Sequence, residues 1–212
     1  LLSGGHSKPV LRLNQAVDAD EKTVKLVHGE LGAIYSDEEA WKNGPELVYP
    51  GSFDPFHHGH LKIGLAASKI KQKKLIHEIS VVNAEKPPLD YLSIQERIQQ
   101  FGPNIVLTNA PRFLDKAKLF PGATFVVGID TWKRVTDPRF YENRPKLMRD
   151  VIREFQRLQV HFLVFGREID GKFENLSPAD QIEYKGVAES VPESTFRSPK
   201  ISSSEIRTKG NL

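Results

Sequence analysis

Tyr49-Pro50-Gly51-Ser52-Phe53-Asp54-Pro55-Phe56-His57-His58-Gly59-His60-Leu61 is where one kind of periodicity gives way to another. The apolar run Leu47–Tyr49 before it reads as a short strand, and Leu61, Leu65, Ala66 and Ile70 after it recur at helical spacing. A strand, a turn holding Gly51 and Gly59, and then a helix make the opening half of a parallel crossover.

The same alternation continues downstream. Strands are expected at Glu78–Val82, Ile105–Thr108, Thr124–Gly128 and Val160–Phe165. Helices are expected at Ser93–Phe101, Arg112–Leu119 and Asn143–Leu158, the last with Pro145 tolerated in its first turn. Repeated βαβ units imply an α/β fold, a parallel sheet with helices on both faces. Upstream, residues 1–45 read as an N-terminal extension or the remnant of a preceding domain, and residues 46–212 as the main domain. Val10–Leu13 suggests a strand, and Asp18 or Asp20 can cap a helix carrying Val24, Val27, Leu31 and Ile34. The only methionine is Met148, so Leu1 is not expected to be the translation start.

In open parallel sheets, ligands sit beyond the carboxyl ends of the strands. Gly51 there would let a ligand approach the backbone, and Gly59 would let the helix begin close beside it. A helix N-terminus offers unpaired N–H groups to phosphate. His57 and His60 bracket Gly59 and can aim two ring donors at charge growing on a phosphorus centre. The competing readings are a structural turn with surface histidines, and a metal site from Asp54, His57, His58 and His60. The second suffers from crowding three imidazoles into one turn.

A second motif, Ile201-Ser202-Ser203-Ser204-Glu205-Ile206-Arg207, fits a capping box with Ser202 as cap and Glu205 at the third helical position. It reads alone as a well-capped short helix. Together with the histidine motif it reads as a phosphate grip, with Arg207 reaching the β- and γ-phosphates. Lys86, after the second strand, is a candidate for the acceptor phosphate or a solvated lysine. Arg97 reads as a surface or salt-bridging residue. Arg134 and Arg139 are weaker substrate candidates. The basic helix Arg144–Arg157 reads as a solvated face rather than a nucleic-acid surface.

A 212-residue chain can bury one sizeable core, and a net charge of +3 is too mild to argue for nucleic acid. With no cysteine there is neither a disulfide framework nor a thiolate metal site. No apolar run approaches the roughly 18–20 residues of a membrane span, so a cytoplasmic enzyme is expected.

The stretch Gly51–His60 resembles the H-x-G-H signature of the nucleotidylyltransferase superfamily, and Ile201–Arg207 resembles its second signature, I-S-S-T-x-I-R. The resemblance implies a Rossmann-like fold and ATP binding. It also implies in-line attack by a substrate phosphate on the α-phosphorus, release of pyrophosphate, and Mg²⁺ carried by the triphosphate without a protein metal cage. His57, His60 and Arg207 would then be catalytic. Gly51, Ser52, Phe53, Gly59, Gly128, Asp130, Ser202, Ser203 and Ser204 would hold the nucleotide, Asp130 meeting a ribose hydroxyl or a substrate amide or else capping a helix. Lys86 and Trp132 would hold the acceptor, Trp132 by stacking, although core packing is the stronger reading of a tryptophan there.

Nicotinate- and nicotinamide-mononucleotide adenylyltransferases carry a histidine at the position of His57. Pantetheine-phosphate adenylyltransferases, similar in Tyr49–Pro55, usually carry threonine there. Residues 83–89, 110–131 and 137–141 resemble a cytidylyltransferase-like branch in which an amidase-related domain can precede this module. The preferred expectation is adenylyl transfer from ATP to nicotinate or nicotinamide mononucleotide. Cytidylyl transfer from CTP to a small phosphorylated alcohol, a pantetheine-phosphate acceptor, and a non-catalytic nucleotide-binding module remain the alternatives. No nucleic-acid or membrane partner is expected, and a homo-oligomer is admitted.

Overall fold

Short apolar runs become the buried central strands, and shorter mixed segments form the edge strands and a hairpin. They are β1 (Ala33–Tyr35), β2 (Leu47–Pro50), β3 (Leu75–Ser80), β4 (Ile105–Thr108), β5 (Thr124–Gly128), β6 (His161–Phe165), β7 (Arg167–Ile169), β8 (Lys172–Glu174) and β9 (Ala188–Val191). This computed structural model describes residues 19–82, 87–169, 171–197 and 206–207. The main sheet has seven strands in the order β1-β4-β3-β2-β5-β6-β9, and β7 and β8 form a separate hairpin. Every pairing in the main sheet is parallel except that of the edge strand β1 with β4. Counting parallel strands alone, the order is that of the doubly wound fold, with its reversal point between β2 and β5.

The helices are α1 (Glu21–Val27), α2 (His58–Lys71), α3 (Tyr91–Ile98), α4 (Phe113–Leu119), α5 (Ile129–Val135), α6 (Pro145–Arg157) and α7 (Pro178–Glu183). Alternate strand residues feed two cores, as a period of two requires. Val48, Ile76, Val106, Phe125, Val127, Phe162 and Val164 pack with Ala117 of α4, Trp132 of α5 and Met148, Ile152 and Phe155 of α6. Leu47, Tyr49, Ile79, Leu107, Val126 and Leu163 pack with Leu26 of α1, Ala67 of α2 and Ile94 of α3. Helices therefore cover both faces of a Rossmann-like sheet.

Several expectations shift. The first helix, capped by Asp20, ends at Val27, because the chain turns through Gly29 at φ +78° and Ile34 joins β1. The second main strand runs Leu75–Ser80 instead of Glu78–Val82, burying the mixed sequence Leu-Ile-His-Glu-Ile-Ser between its neighbours. The helix after Gly128 is too short, at 7 residues, for its one apolar stripe to be read, and the hairpin, α7 and β9 carry too little periodicity of their own. On α6 the basic face is exposed and laced by Arg153–Asp150 and Arg157–Glu154 pairs.

A charged pair sits inside, with a hydroxyl beside it. Glu78 is 1% exposed, and its Oε1 accepts from Lys116 Nζ at 2.6 Å and from the Thr108 hydroxyl. Lys116 also donates to the Ala110 carbonyl at 2.7 Å, so the ammonium is doubly satisfied. Breaking such a pair leaves one charge buried and alone. Lys116→Met should lose about 3–5 kcal/mol in urea denaturation, and Glu78→Leu/Lys116→Met should recover most of it. A loss in the double variant equal to the sum of the two single-variant losses would mean that the pair is not coupled.

Candidate active site

The turn from β2 into α2 lies at the carboxyl end of the strand that flanks the topological reversal, and Gly128 ends the strand on its other side. His57 is the N-cap of α2, with extended backbone. Its Nδ1 accepts from the Gly59 amide at 3.1 Å, and its own amide donates to His60 Nδ1 at 3.3 Å. A nitrogen that accepts an N–H carries no proton, so each neutral ring holds its proton on Nε2. The rings stack with centroids 3.8 Å apart, and His60 also stacks on Phe56 at 5.5 Å. Neither Nε2 has a hydrogen-bond partner among the described residues. Burial, with the neighbouring His58 adding to it, pushes the His57 pKa down. Burial, with His57 and His77 adding, pushes His60 down to about 4. Both imidazoles are neutral donors at pH 7.

The loop leading to them is half core. Phe53 is buried at φ +45°, an uncommon conformation for a side chain of this size, and its ring packs on Tyr49, Phe56, His60, His77 and Phe101. Gly51 makes room for it, since a Cβ there would stand 2.7 Å from the Phe53 ring. Packing thus demands glycine at 51 independently of any ligand. Below this cluster His77 is enclosed by Tyr49, Phe53, Phe56 and Phe101, and neither of its ring nitrogens makes a full hydrogen bond. Burial pushes its pKa down to about 4, against a weak upward pull from the Asn104 carbonyl.

Side chains distant in sequence close the loop. Arg97 donates to the Ser52 carbonyl at 3.1 Å, and Gln100 pairs with the Phe53 carbonyl and the Phe56 amide. Arg207 donates to the Asp54 carbonyl, with the same nitrogen 3.7 Å from the Asp54 carboxylate. The two sequence motifs therefore meet, through Arg207 and the Gly51–His60 loop.

A family profile described as cytidylyltransferase-like matches residues 48–209. The chain belongs to that family. Membership carries nucleotidyltransferase activity in general, with a nucleoside triphosphate and a phosphorylated substrate as ligands. Among curated proteins none matches. No helix among the described residues is long and apolar enough to cross a membrane.

Gly128 has ordinary backbone angles, and no described atom lies within 4 Å of where its Cβ would be, leaving room beside the cleft. Asp130 is half-exposed and paired with Arg167 at 2.8 Å. Trp132 follows the core-packing reading and not the stacking one: at 1% exposed it packs against Phe162 and Tyr184. Helical spacing puts Ile129, Trp132 and Val135 on one buried stripe. Arg139 is held by Asp137 at 2.6 Å. Lys86, Ser202, Ser203 and Ser204 lie outside the described residues. Gln100, His77 and the bridging role of Asp54 were not anticipated, because nothing local in the sequence marks a partner 44 residues away.

The depressed histidines make stability depend on pH. Between about 4 and their ordinary value the unfolded chain binds more protons than the folded one, so stability falls as pH drops through that window. His77→Phe keeps the ring packing and removes one such group. Its melting temperature relative to the parent should be constant above pH 6.5 and rise in the variant's favour from there to pH 4.5. A difference that stays flat would show that His77 charges freely in the folded protein.

Proposed function

We propose that this protein transfers an adenylyl group from ATP to the phosphate of a small acceptor, nicotinate or nicotinamide mononucleotide, and releases pyrophosphate. The observation that carries the reading is the stacked imidazole pair at the sheet's reversal point. Both Nδ1 atoms are occupied by main-chain amides, so both Nε2–H groups are available to a ligand.

In the proposed step an acceptor phosphate oxygen attacks the α-phosphorus. A new P–O bond forms as the bond to the bridging oxygen of pyrophosphate breaks, and that oxygen leaves with the electron pair. The acceptor oxygen is already anionic, so no side chain need act as nucleophile. His57 and His60 donate to the non-bridging α-oxygens, where charge grows. Neutral donors suffice, because no proton has to be transferred. Arg207 grips the departing pyrophosphate, aided by Ser202, Ser203 and Ser204, while Ser52 and Phe53 supply main-chain contacts and Gly59 holds His57 through its amide. Lys86 holds the acceptor phosphate. Mg²⁺ arrives on the triphosphate. Phosphate and water oxygens would make up most of its shell. Alignment supplies much of the acceleration.

A second reading, cytidylyl transfer from CTP to a phosphorylated alcohol, gains from the burial of Trp132, which withdraws the stacking platform that a pyridine acceptor would use. Pyrophosphate release measured with ATP and CTP against both acceptor classes separates the two. His60→Ala should lower kcat by about 10²–10³ while ATP affinity stays within about tenfold. Turnover by that variant at the parent rate would remove His60 from the mechanism. Arg207→Ala should weaken triphosphate binding more than monophosphate binding, and equal weakening would place it away from the pyrophosphate end.

A further inference from the structure

The segment between the end of β2 and the start of α2 has little regular structure of its own, yet it must deliver His57 to the helix N-cap. Three of its main-chain groups, the Ser52 and Phe53 carbonyls and the Phe56 amide, are satisfied from outside, by the end of α3 and the residue that follows its cap. Gln100 Nε2 donates to the Phe53 carbonyl at 3.2 Å, and its Oε1 accepts from the Phe56 amide at 2.8 Å. One carboxamide thus spans the loop as a paired strand would, fixing the residue at φ +45° and the residue directly before His57. One turn earlier, Arg97 donates to the Ser52 carbonyl at 3.1 Å and lies 3.5 Å from the Asp54 carboxylate, its side chain only 15% exposed. Asp54 is also the residue that receives Arg207. The end of α3 is therefore connected to both motifs, to the imidazole pair through Gln100 and to Arg207 through Arg97 and Asp54.

We infer that Arg97 and Gln100 are positioning residues for the nucleotidyl-transfer site. Gln100 sets the distance and orientation of His57 and His60. Arg97 holds the Asp54 carboxylate in place to receive Arg207. Neither touches the reacting atoms in this account. The inference rests on the function proposed above only for its effect on rate; its effect on the imidazoles is independent of any activity.

The test uses Gln100→Leu, which removes both loop hydrogen bonds at similar size, and Gln100→Glu, which keeps an acceptor for the Phe56 amide and loses the donor to Phe53. Arg97→Lys keeps the charge and Arg97→Met removes it. Two readouts are taken on folded protein, the kcat and KM for triphosphate and the ¹⁵N shifts of the histidine rings across pH. Gln100→Leu should lower kcat by about tenfold or more with KM changed less than about threefold. Its His57 and His60 signals should move from the pure Nε2–H pattern toward mixed tautomers, with pKa values rising toward the ordinary range. Gln100→Glu should fall between it and the parent. Arg97→Met should lower kcat, and Arg97→Lys should restore part of the loss.

A Gln100→Leu protein that melts earlier but keeps the parent kcat and ring spectra would reduce Gln100 to a structural residue and overturn the inference. Should Gln100→Leu not fold, Gln100→Glu with parental spectra overturns it equally. Absence of turnover in the parent with every donor and acceptor tried would defeat the proposed function instead. The ring spectra of the variants would still decide whether α3 positions the histidines.

Discussion

Two main-chain amides, those of Gly59 and His57, donate to the Nδ1 atoms of His57 and His60, and much of the site's chemistry depends on that use of the helix N-terminus. A bare helix start would present these N–H groups to an anion directly. Here the histidines consume them and present ring Nε2–H groups in their place, so the donors stand one imidazole further from the helix. The positive end of the helix and the burial of the rings both disfavour a second proton. The arrangement therefore holds both rings neutral and in one tautomer before any ligand arrives. It would permit donation without proton transfer, which suits the displacement at phosphorus proposed above.

That geometry would be soft if the loop were soft, and packing prevents it. The Phe53 ring occupies space that a side chain at Gly51 would take, and it anchors a cluster of Tyr49, Phe56, His77 and Phe101 directly beneath His60. A glycine expected to let a ligand approach thus serves the hydrophobic core as well. The backbone at Phe53 is of the strained kind that persists only where its surroundings over-determine it. Here they do so with an aromatic core on one side and the Gln100 carboxamide on the other.

The parallel sheet was legible because β2, β4, β5 and β6 carry uninterrupted apolar runs, and Ile105–Thr108 and Thr124–Gly128 match to the residue. β3 was misplaced because His77 and Glu78 break its apolar run: Glu78 is buried only by virtue of Lys116 and Thr108 from other elements, and His77 is half-buried under the aromatic cluster. The histidine motif was legible because its spacing is local. Its brace was not, since Gln100 has no local pattern and gains meaning only when α3 packs beside the loop. β1 and β9 escaped for a related reason. Three or four residues of mixed character become strands only because an edge of the sheet offers them hydrogen-bond partners.

Recognition of the base and of the acceptor must be built differently from what a tryptophan near the cleft suggested. Trp132 belongs to the buried stripe of α5, where its indole packs on Phe162 and Tyr184. At the start of that helix Gly128 leaves open space that neither backbone angle nor packing demands. The next polar groups along the rim are engaged with the β7–β8 hairpin, Asp130 with Arg167 and Lys133 with Glu174. A ribose hydroxyl arriving at Asp130 would have to share its carboxylate with Arg167, so selectivity on this side follows from rearranging an ion pair at a partly exposed rim. Such pairs are weak enough in water to be remade by a ligand that offers comparable hydrogen bonds. With the Trp132 indole spent in the core, the proposed reading leans on shape and polar contacts on this side of the cleft to distinguish one nucleotide from another.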